Sequence, residues 1–528
     1  MNKDLIKIMF VTAGAVLFNL VFWQEKLALN TVLFDGFLLT ALFFLYPHAG
    51  QNATVRWLLL GHIVCLTMVI VHNTELSKIA FAVTLLLLAA FSEYVHRSVW
   101  FAGGSVLLNV LMIAASFVEP IKFRRGPAIK GKAVSRFIRF AFFPLILLAV
   151  FFCIYLLANN VFSDIAGKIG AQLELFFSRF FDFFSWQRLL FLLLGLLITG
   201  AVLLKSKIDY FSNREARLQD GLQRTRITLS NRRKNAFSQL IEVVMGRMAN
   251  GMMALKNENT TGTISLVLLN ILLLVINIID VNFLWFNFHY KEGEPVYKMV
   301  HEGTELLIVS IVLAMAILLF FFKGNLNFYK RNKWLKYGAY AWIVQNAILV
   351  SSVCLRDYYY IAKHGLAYKR IGVLFFLLMV LIGLVTVFAK IYGKKTNYFL
   401  FRINAWAGIA VLVLATTIHW DELIAGYNLK RKNSIDVDVP FLLSLSDKAL
   451  PLLDTNIVVL QKRQNELEAL SDNRPRNYCD TCFIEQLKQR EQKFVDQQKQ
   501  LSWLSWNYAD AYTEKYFQRK GLIAANHQ

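Results

Sequence analysis

Apolar residues in this chain come in long uninterrupted blocks, and polar residues gather between them. Blocks fall at 8–23, 31–46, 57–72, 79–92, 98–118, 140–162, 188–204, 263–287, 304–322, 338–355, 371–388 and 403–419. Runs of about 17–25 apolar residues match the thickness of a bilayer's hydrocarbon layer. The pattern predicts an all-α, polytopic bundle of about twelve spans. A transmembrane barrel requires strict alternation of apolar and polar residues, which these blocks lack. Helix satisfies every backbone polar group within its own segment, as a lipid environment demands.

Four regions follow from this pattern. Residues 1–204 hold the N-terminal spans, and 263–420 hold a second transmembrane core. Between them, 205–262 is a basic segment in which Phe237, Leu240, Ile241, Val244 and Met248 fall at helical spacing, as in a helix packed against the inner face of the bundle or an amphipathic helix lying on the membrane surface. Residues 421–528 form a tail in which Asp447–Leu470 and Cys482–Phe517 read as helices. The sequence Asn473-Arg-Pro-Arg-Asn477 breaks between them, predicting a helical hairpin outside the membrane. Residues 163–187 crowd Phe176, Phe177, Phe180, Phe181, Phe183 and Phe184 together, as at a membrane interface.

Composition strengthens the membrane reading. Of 528 residues, 56% are hydrophobic and 17% charged, against about 25% charged in soluble domains. Charge then supplies orientation. The net charge is +22, and the excess sits in short loops, so it reads as topology rather than nucleic-acid binding. The loop 119–139 carries Lys122, Arg124, Arg125, Lys130, Lys132, Arg136 and Arg139 against one acid. Segment 205–262 carries Arg214, Arg217, Arg224, Arg226, Arg232, Arg233 and Lys234. Loops 323–337 and 389–402 are also basic. Placing all four on the cytoplasmic side of a bacterial inner membrane leaves the tail extracytoplasmic. Counting back through twelve spans puts the N-terminus outside as well, against the sense of Lys3 and Lys7.

From about residue 258 the chain resembles DUF4173, a family of uncharacterised bacterial inner-membrane proteins. The resemblance is carried by TGTISLVLLNILLLVINIIDVNFLWF (261–286), HEGTELLIVSIVLA (301–314), GNLNFYKRNKWLKYGAYAWIVQNAILVSSVCLRDYYYI (324–361) and GLAYKRIGVLFFLLMVLIGLVTVFAKI (365–391). WDELIAGYNLKR (420–431) and LSWLSWNYADAY (501–512) add to it. It implies a membrane location and no assigned activity.

Polar residues inside spans are costly and mark functional sites or helix–helix contacts. Asn270, Asn277 and Asp280 share one helical face, and Gln345, Ser352 and Arg356 share another. Placed by depth, Asn277, Asp280, His301, Glu305, Arg356, Arg370, His419 and Asp421 fall near one level. They outline a polar pocket in which Asp280 pairs with Arg356 or Arg370. The bland alternative is an interfacial belt of charged helix ends. His301 and Glu305 stand at i and i+4, but no zinc-binding motif accompanies them, and no metal or cofactor is expected. Cys479 and Cys482 form a lone CxxC, read as a local disulfide. Phosphate-binding and nucleophile motifs are absent from the sequence. The functional expectation is a non-enzymatic membrane protein, an envelope scaffold or sensor embedded in the lipid bilayer. A solute permease and a membrane enzyme acting on a lipid-linked substrate are the alternatives.

Overall fold

The computed structural model describes residues 3–122, 144, 147–148, 151–152, 155–156, 162–170, 185–205, 208–224, 254–286, 296–322, 324–430, 438–470 and 483–521. The fold is all-helical. A lone bridge between Gly221 and Lys395 is the extended pairing among these residues. Eight helices are long and apolar enough to cross a membrane, and three shorter apolar ones accompany them. The expected span 140–162 and the amphipathic segment at 237–248 lie mostly or wholly outside the described residues.

The chain divides into two units. The first comprises Met1–Glu215, Ala415–Thr417 and Val495–Gln528; the second comprises Ala216–Leu414 and Ile418–Phe494.

In the first unit, α1 (Lys3–Phe22), α2 (Leu29–Leu45), α3 (Ala53–Val71) and α4 (Glu75–Glu93) run up and down. α5 (Val99–Lys122), α6 (Trp186–Leu203) and α7 (Tyr210–Ala216) follow. The turns are fixed by polar caps, because helix ends leave backbone groups unpaired. Asn30, fully buried, accepts from the Ala28 amide at 2.7 Å and donates to the Lys26 carbonyl at 2.8 Å. Asn52 caps α3 and Thr74 caps α4 through their side-chain oxygens. α1 and α6 approach closely because Gly195 leaves room for Phe18; a Cβ there would lie 2.8 Å from the ring.

Contacts assign the two ends of this unit. Tyr46 at the end of α2 donates to the carbonyl of Leu203 at 3.2 Å, and Lys7 lies over the Tyr46 ring. Lys205 lies over Tyr94, just past α4. The start of α1 and the ends of α2, α4 and α6 therefore share one end. The α1–α2 turn lies at the other end, and the tail is fastened there. The Lys26 amide donates to Ser505 at 2.8 Å, and the Leu29 amide donates to the Trp506 carbonyl at 3.1 Å.

α5 departs from the expected span 98–118. Antiparallel packing on α4 would bring Asn109 beside the middle of that helix. Instead Asn109 donates to Glu93 at 2.6 Å, at the very end of α4. Ile113, a further turn on, touches Gly200 near the end of α6. Gly104 meets Phe211 of α7, and Ser105 meets His96. α5 thus runs across the end of the bundle rather than through it. Its buried stripe (Ala102, Ser105, Val106, Asn109, Ile113) mixes polar with apolar residues because it covers helix ends.

In the second unit, α8 (Ala254–Asp280) continues through a π-helical turn, Val281–Phe286. α9 (Val296–Phe321), α10 (Lys333–His364), α11 (Tyr368–Tyr392) and α12 (Asn397–Thr416) follow. Leu266, Ile311, Leu318, Leu335, Val353, Leu384 and Ile391 belong to its apolar core. One end gathers the basic loops. Lys390, 1% exposed, does not project into a loop as its place in 389–402 suggested. It donates to the Phe322 carbonyl at 2.6 Å. The Leu222 amide bonds the Lys394 carbonyl, and Arg402 bonds Asp220 at 2.8 Å.

The tail is not a simple hairpin. Short helices α13 (Trp420–Lys430), α14 (Val439–Ser444) and α15 (Leu450–Thr455) precede α16 (Ile457–Leu470). The expected helix 482–517 is interrupted between α17 (Phe483–Gln498) and α18 (Tyr508–Arg519). Ser502 caps an intervening 3₁₀ turn and Asn507 caps α18, accepting from the Asp510 amide. These residue types favour caps over helix interiors because their short side chains bond nearby backbone.

Candidate functional site

The polar faces of α8 and α10 meet along a seam that repeats every seven residues, as packed helices require. Asn270 donates to the Gly338 carbonyl at 2.9 Å and accepts from Gln345 at 2.8 Å. Asn277 donates to the Gln345 carbonyl at 3.0 Å. Trp285 donates to Ser352 at 3.3 Å. Partner numbers rise together along both helices, so the two run parallel, with α9 returning between them. At the end of the seam Arg356 and Asp280 form an ion pair at 2.5 Å, with side chains 17% and 9% exposed. One oxygen of Asp280 and the Nε of Arg356 have no hydrogen-bond partner. The π turn follows Asp280 directly, and the Leu284 carbonyl within it accepts from Tyr359 at 3.1 Å. Such turns free backbone groups that side chains then take up.

Arg370 does not reach Asp280. It donates to the carbonyls of His364 and Gly365 and stacks over Tyr360 at 4.4 Å, closing the α10–α11 turn. Gly365 has φ +84°, and its Cβ position would collide with Asn428, whose side chain bonds both backbone groups of Leu366. His419 accepts from the Glu422 amide at 3.3 Å, capping α13. Asp421 accepts from the Ser446 hydroxyl and is 6% exposed. Beside it, burial first and the Asp421 charge second push the Glu422 carboxyl above the usual range. Asn277, Asp280 and Arg356 thus lie together on the seam, whereas Arg370, His419 and Asp421 each make separate contacts. His301 and Glu305 lie in the first turns of α9, but their side chains fall outside the described residues, as do Cys479 and Cys482 entirely. Among the described residues no group of three His, Cys, Asp or Glu is placed to hold a metal ion.

Two further polar clusters lie in the first unit, and sequence reasoning passed over both. In the middle of the bundle, His62 bonds Asp35 at 3.0 Å and Thr84 at 2.8 Å. All three residues are 0% exposed. At the α5 end, His96 bonds Glu215 at 2.7 Å and Ser105 at 2.8 Å. Glu215 also accepts from the amides of Arg97 and Ser98, locking α7 to the α4–α5 turn. Nearby, Glu93 accepts from Asn109, which accepts from Tyr94 at 2.8 Å. The signal for the first cluster stood in the blocks 31–46 and 57–72, where Asp35 and His62 interrupt largely apolar runs.

No curated protein and no solved structure matches this chain. The resemblance to DUF4173 is corrected by the family comparison, which matches a different family and begins at residue 11 rather than near 258. The N-terminal spans therefore lie within the matched region. With residues 11–456 matched by the model for the domain of unknown function DUF4153, the chain belongs to that family.

Proposed function

We propose that this protein is a multi-pass scaffold or sensor of the bacterial inner membrane, linking an extracytoplasmic tail to a basic cytoplasmic segment. The observation that carries this reading is the fastening of both ends of the first unit. At one end the tail clamps the α1–α2 turn through Ser505, Trp506 and Asp510, with Lys26 3.7 Å from Asp510. At the opposite end Glu215 ties α7, the start of the basic segment, to the α4–α5 turn. A bundle gripped on both sides by extramembrane segments suits a mechanical or signalling link. In the second unit, most polar groups of the α8–α10 seam are spent joining helices, which fits that role.

The orientation is part of the proposal. With α5 lying across the bundle end, eleven crossings remain when 140–162 is counted. Eleven crossings put the N-terminus and all four basic segments on the cytoplasmic side, and the tail outside. Lys3 and Lys7 then agree with the positive-inside rule.

Hydrogen exchange on the whole protein in lipid nanodiscs tests the link. Glu25 accepts from the Ser505 hydroxyl, so Ser505→Ala with Glu25→Gln should loosen the tail clamp and speed exchange in residues 208–217 at the far end. Exchange changes confined to the tail, together with solute flux that Asp280→Asn abolishes, would instead support a permease. The unpaired oxygen of Asp280 is what favours that second reading.

A further inference from the structure

We propose that Lys336 and Lys394 bind the phosphate of one anionic phospholipid, whose acyl chain lies along exposed apolar residues of α10 and α11. The inference requires that these helices cross a bilayer. It goes beyond the scaffold or sensor reading and stands without it.

The register of the two helices builds the site. α10 and α11 are antiparallel neighbours joined by the turn at Gly365. The Tyr340 ring packs on Phe388 with centroids 5.1 Å apart, and Phe388 stacks with Tyr392 at 6.2 Å. Lys336 precedes Tyr340 by one helical turn, and Tyr392 follows Phe388 by one turn. Lys336 therefore stands level with the end of α11, where its charge and that of Lys394 act on each other. Tyr337 and Val344 on α10, with Val385, Phe388 and Tyr392 on α11, are all exposed. Val385 to Tyr392 covers about 10 Å at 1.5 Å per residue. An apolar strip thus leads from the two ammonium groups toward the helix middles.

The other basic groups at this end are already bonded, Lys390 to the Phe322 carbonyl and Arg402 to Asp220. Lys336 and Lys394 differ. Their loops, 323–337 and 389–402, contain no acid. Among the described residues neither lysine has a carboxylate partner. Glu258, the other acid near this end, lies in the first turns of α8. Lys394 lies over the Phe328 ring at 5.2 Å.

Both lysines sit where helix physics disfavours them. Lys336 is in the first turn of α10, which holds no acid and where the helix dipole repels a cation. Lys394 has φ +47°, and the Lys395 amide closes α11 on the Lys390 carbonyl at 2.9 Å. That left-handed position usually belongs to glycine, yet Gly393 stands one residue too early to take it. A phosphodiester relieves the repulsion between the lysines and suits the helix N-terminus. An anionic lipid fits better than a zwitterionic one, whose headgroup brings a cation of its own. Basic pockets between membrane helices attract such headgroups.

Native mass spectrometry of the full chain in an uncharged detergent, titrated with phosphatidylglycerol or phosphatidylcholine, tests the site. Wild type should bind a first phosphatidylglycerol more tightly than phosphatidylcholine. Lys336→Gln and Lys394→Gln should each weaken that binding by about fivefold. Lys488→Gln with Lys493→Gln, which removes two exposed tail charges, should leave it unchanged. Lys394→Gly separates binding from folding. Glycine relieves the left-handed turn and should raise the Tm, while phosphatidylglycerol affinity should still fall by about fivefold. Glycerol phosphate, a headgroup without acyl chains, should not compete. Equal affinity for the two lipids would overturn the site, as would wild-type affinity in Lys394→Gly or an equal loss in the tail variant. Competition by glycerol phosphate would reveal a simple anion site and overturn the lipid assignment.

Discussion

The Asp280–Arg356 pair illustrates how cost and gain divide at a single contact. Both side chains are largely out of water, so each charge depends on the other. Removing one partner leaves an uncompensated charge, at a cost of about 3–5 kcal/mol. Asp280→Asn and Arg356→Gln should each lower unfolding stability by that order, and the double variant should lose less than the sum. A double-mutant cycle in detergent reads this coupling, and strictly additive losses would show the charges to be independent. Glu422 offers a pH-dependent case outside the spans. Its folded-state pKa is raised, chiefly by burial and then by Asp421. The native state therefore holds this proton more tightly than the unfolded chain does. The group's stabilising contribution is present below about pH 4.3, the unfolded value, and is lost as pH rises. Glu422→Gln should raise the Tm at pH 7 and leave it unchanged near pH 4. A lower Tm at pH 7 would show that the His419 contact at 3.8 Å dominates.

Helices were legible where composition alone decides them, and obscure where packing decides. The blocks at 263–287, 338–355, 371–388 and 403–419 all became long helices because unbroken apolar runs have no other stable form in lipid. The face shared by Asn270 and Asn277, and that shared by Gln345 and Ser352, were also readable from spacing. Which helix receives them was not, since parallel pairing of α8 with α10 depends on how α9 returns. The tail failed differently: Leu501–Asn507 reads as helix by apolar content, but Ser502 and Asn507 bond local backbone and stop it. The seam predicts a graded response. Asn270→Leu removes two bonds to α10 and should cost only about 1 kcal/mol, at a mean of about 0.6 kcal/mol for each hydrogen bond between membrane helices. Gly262→Leu should cost more, because even a Cβ would lie 2.9 Å from Leu335 and Phe321; overpacking of this kind costs about 1–3 kcal/mol. Unfolding titrations of the two variants should rank them in that order, and the reverse order would mean that the α8–α10 approach is loose.

At the scale of the molecule, span count and sidedness are one question, because each crossing flips every later segment. The apolar block at 98–118 was long enough to count as a span, and length is all a hydropathy reading sees. Its serine and asparagine, Ser105 and Asn109, fit a helix that covers polar helix ends, which only three-dimensional contacts disclose. The consequence reaches Gly50, between α2 and α3. Twelve spans place Gly50 on the outer side with the tail. Eleven place it inside, and within the first unit the α2–α3 turn and the tail clamp do occupy opposite ends. A Cβ at Gly50 would meet nothing within 4 Å, and Ser502 is exposed. Gly50→Cys and Ser502→Cys, each made in a chain cleared of its five native cysteines, should therefore react with a membrane-impermeant maleimide from opposite sides. Intact cells should label position 502 and spare position 50, and inverted vesicles should do the reverse. Labelling of both from the outside would restore α5 as a crossing helix and detach the tail from the turn it grips.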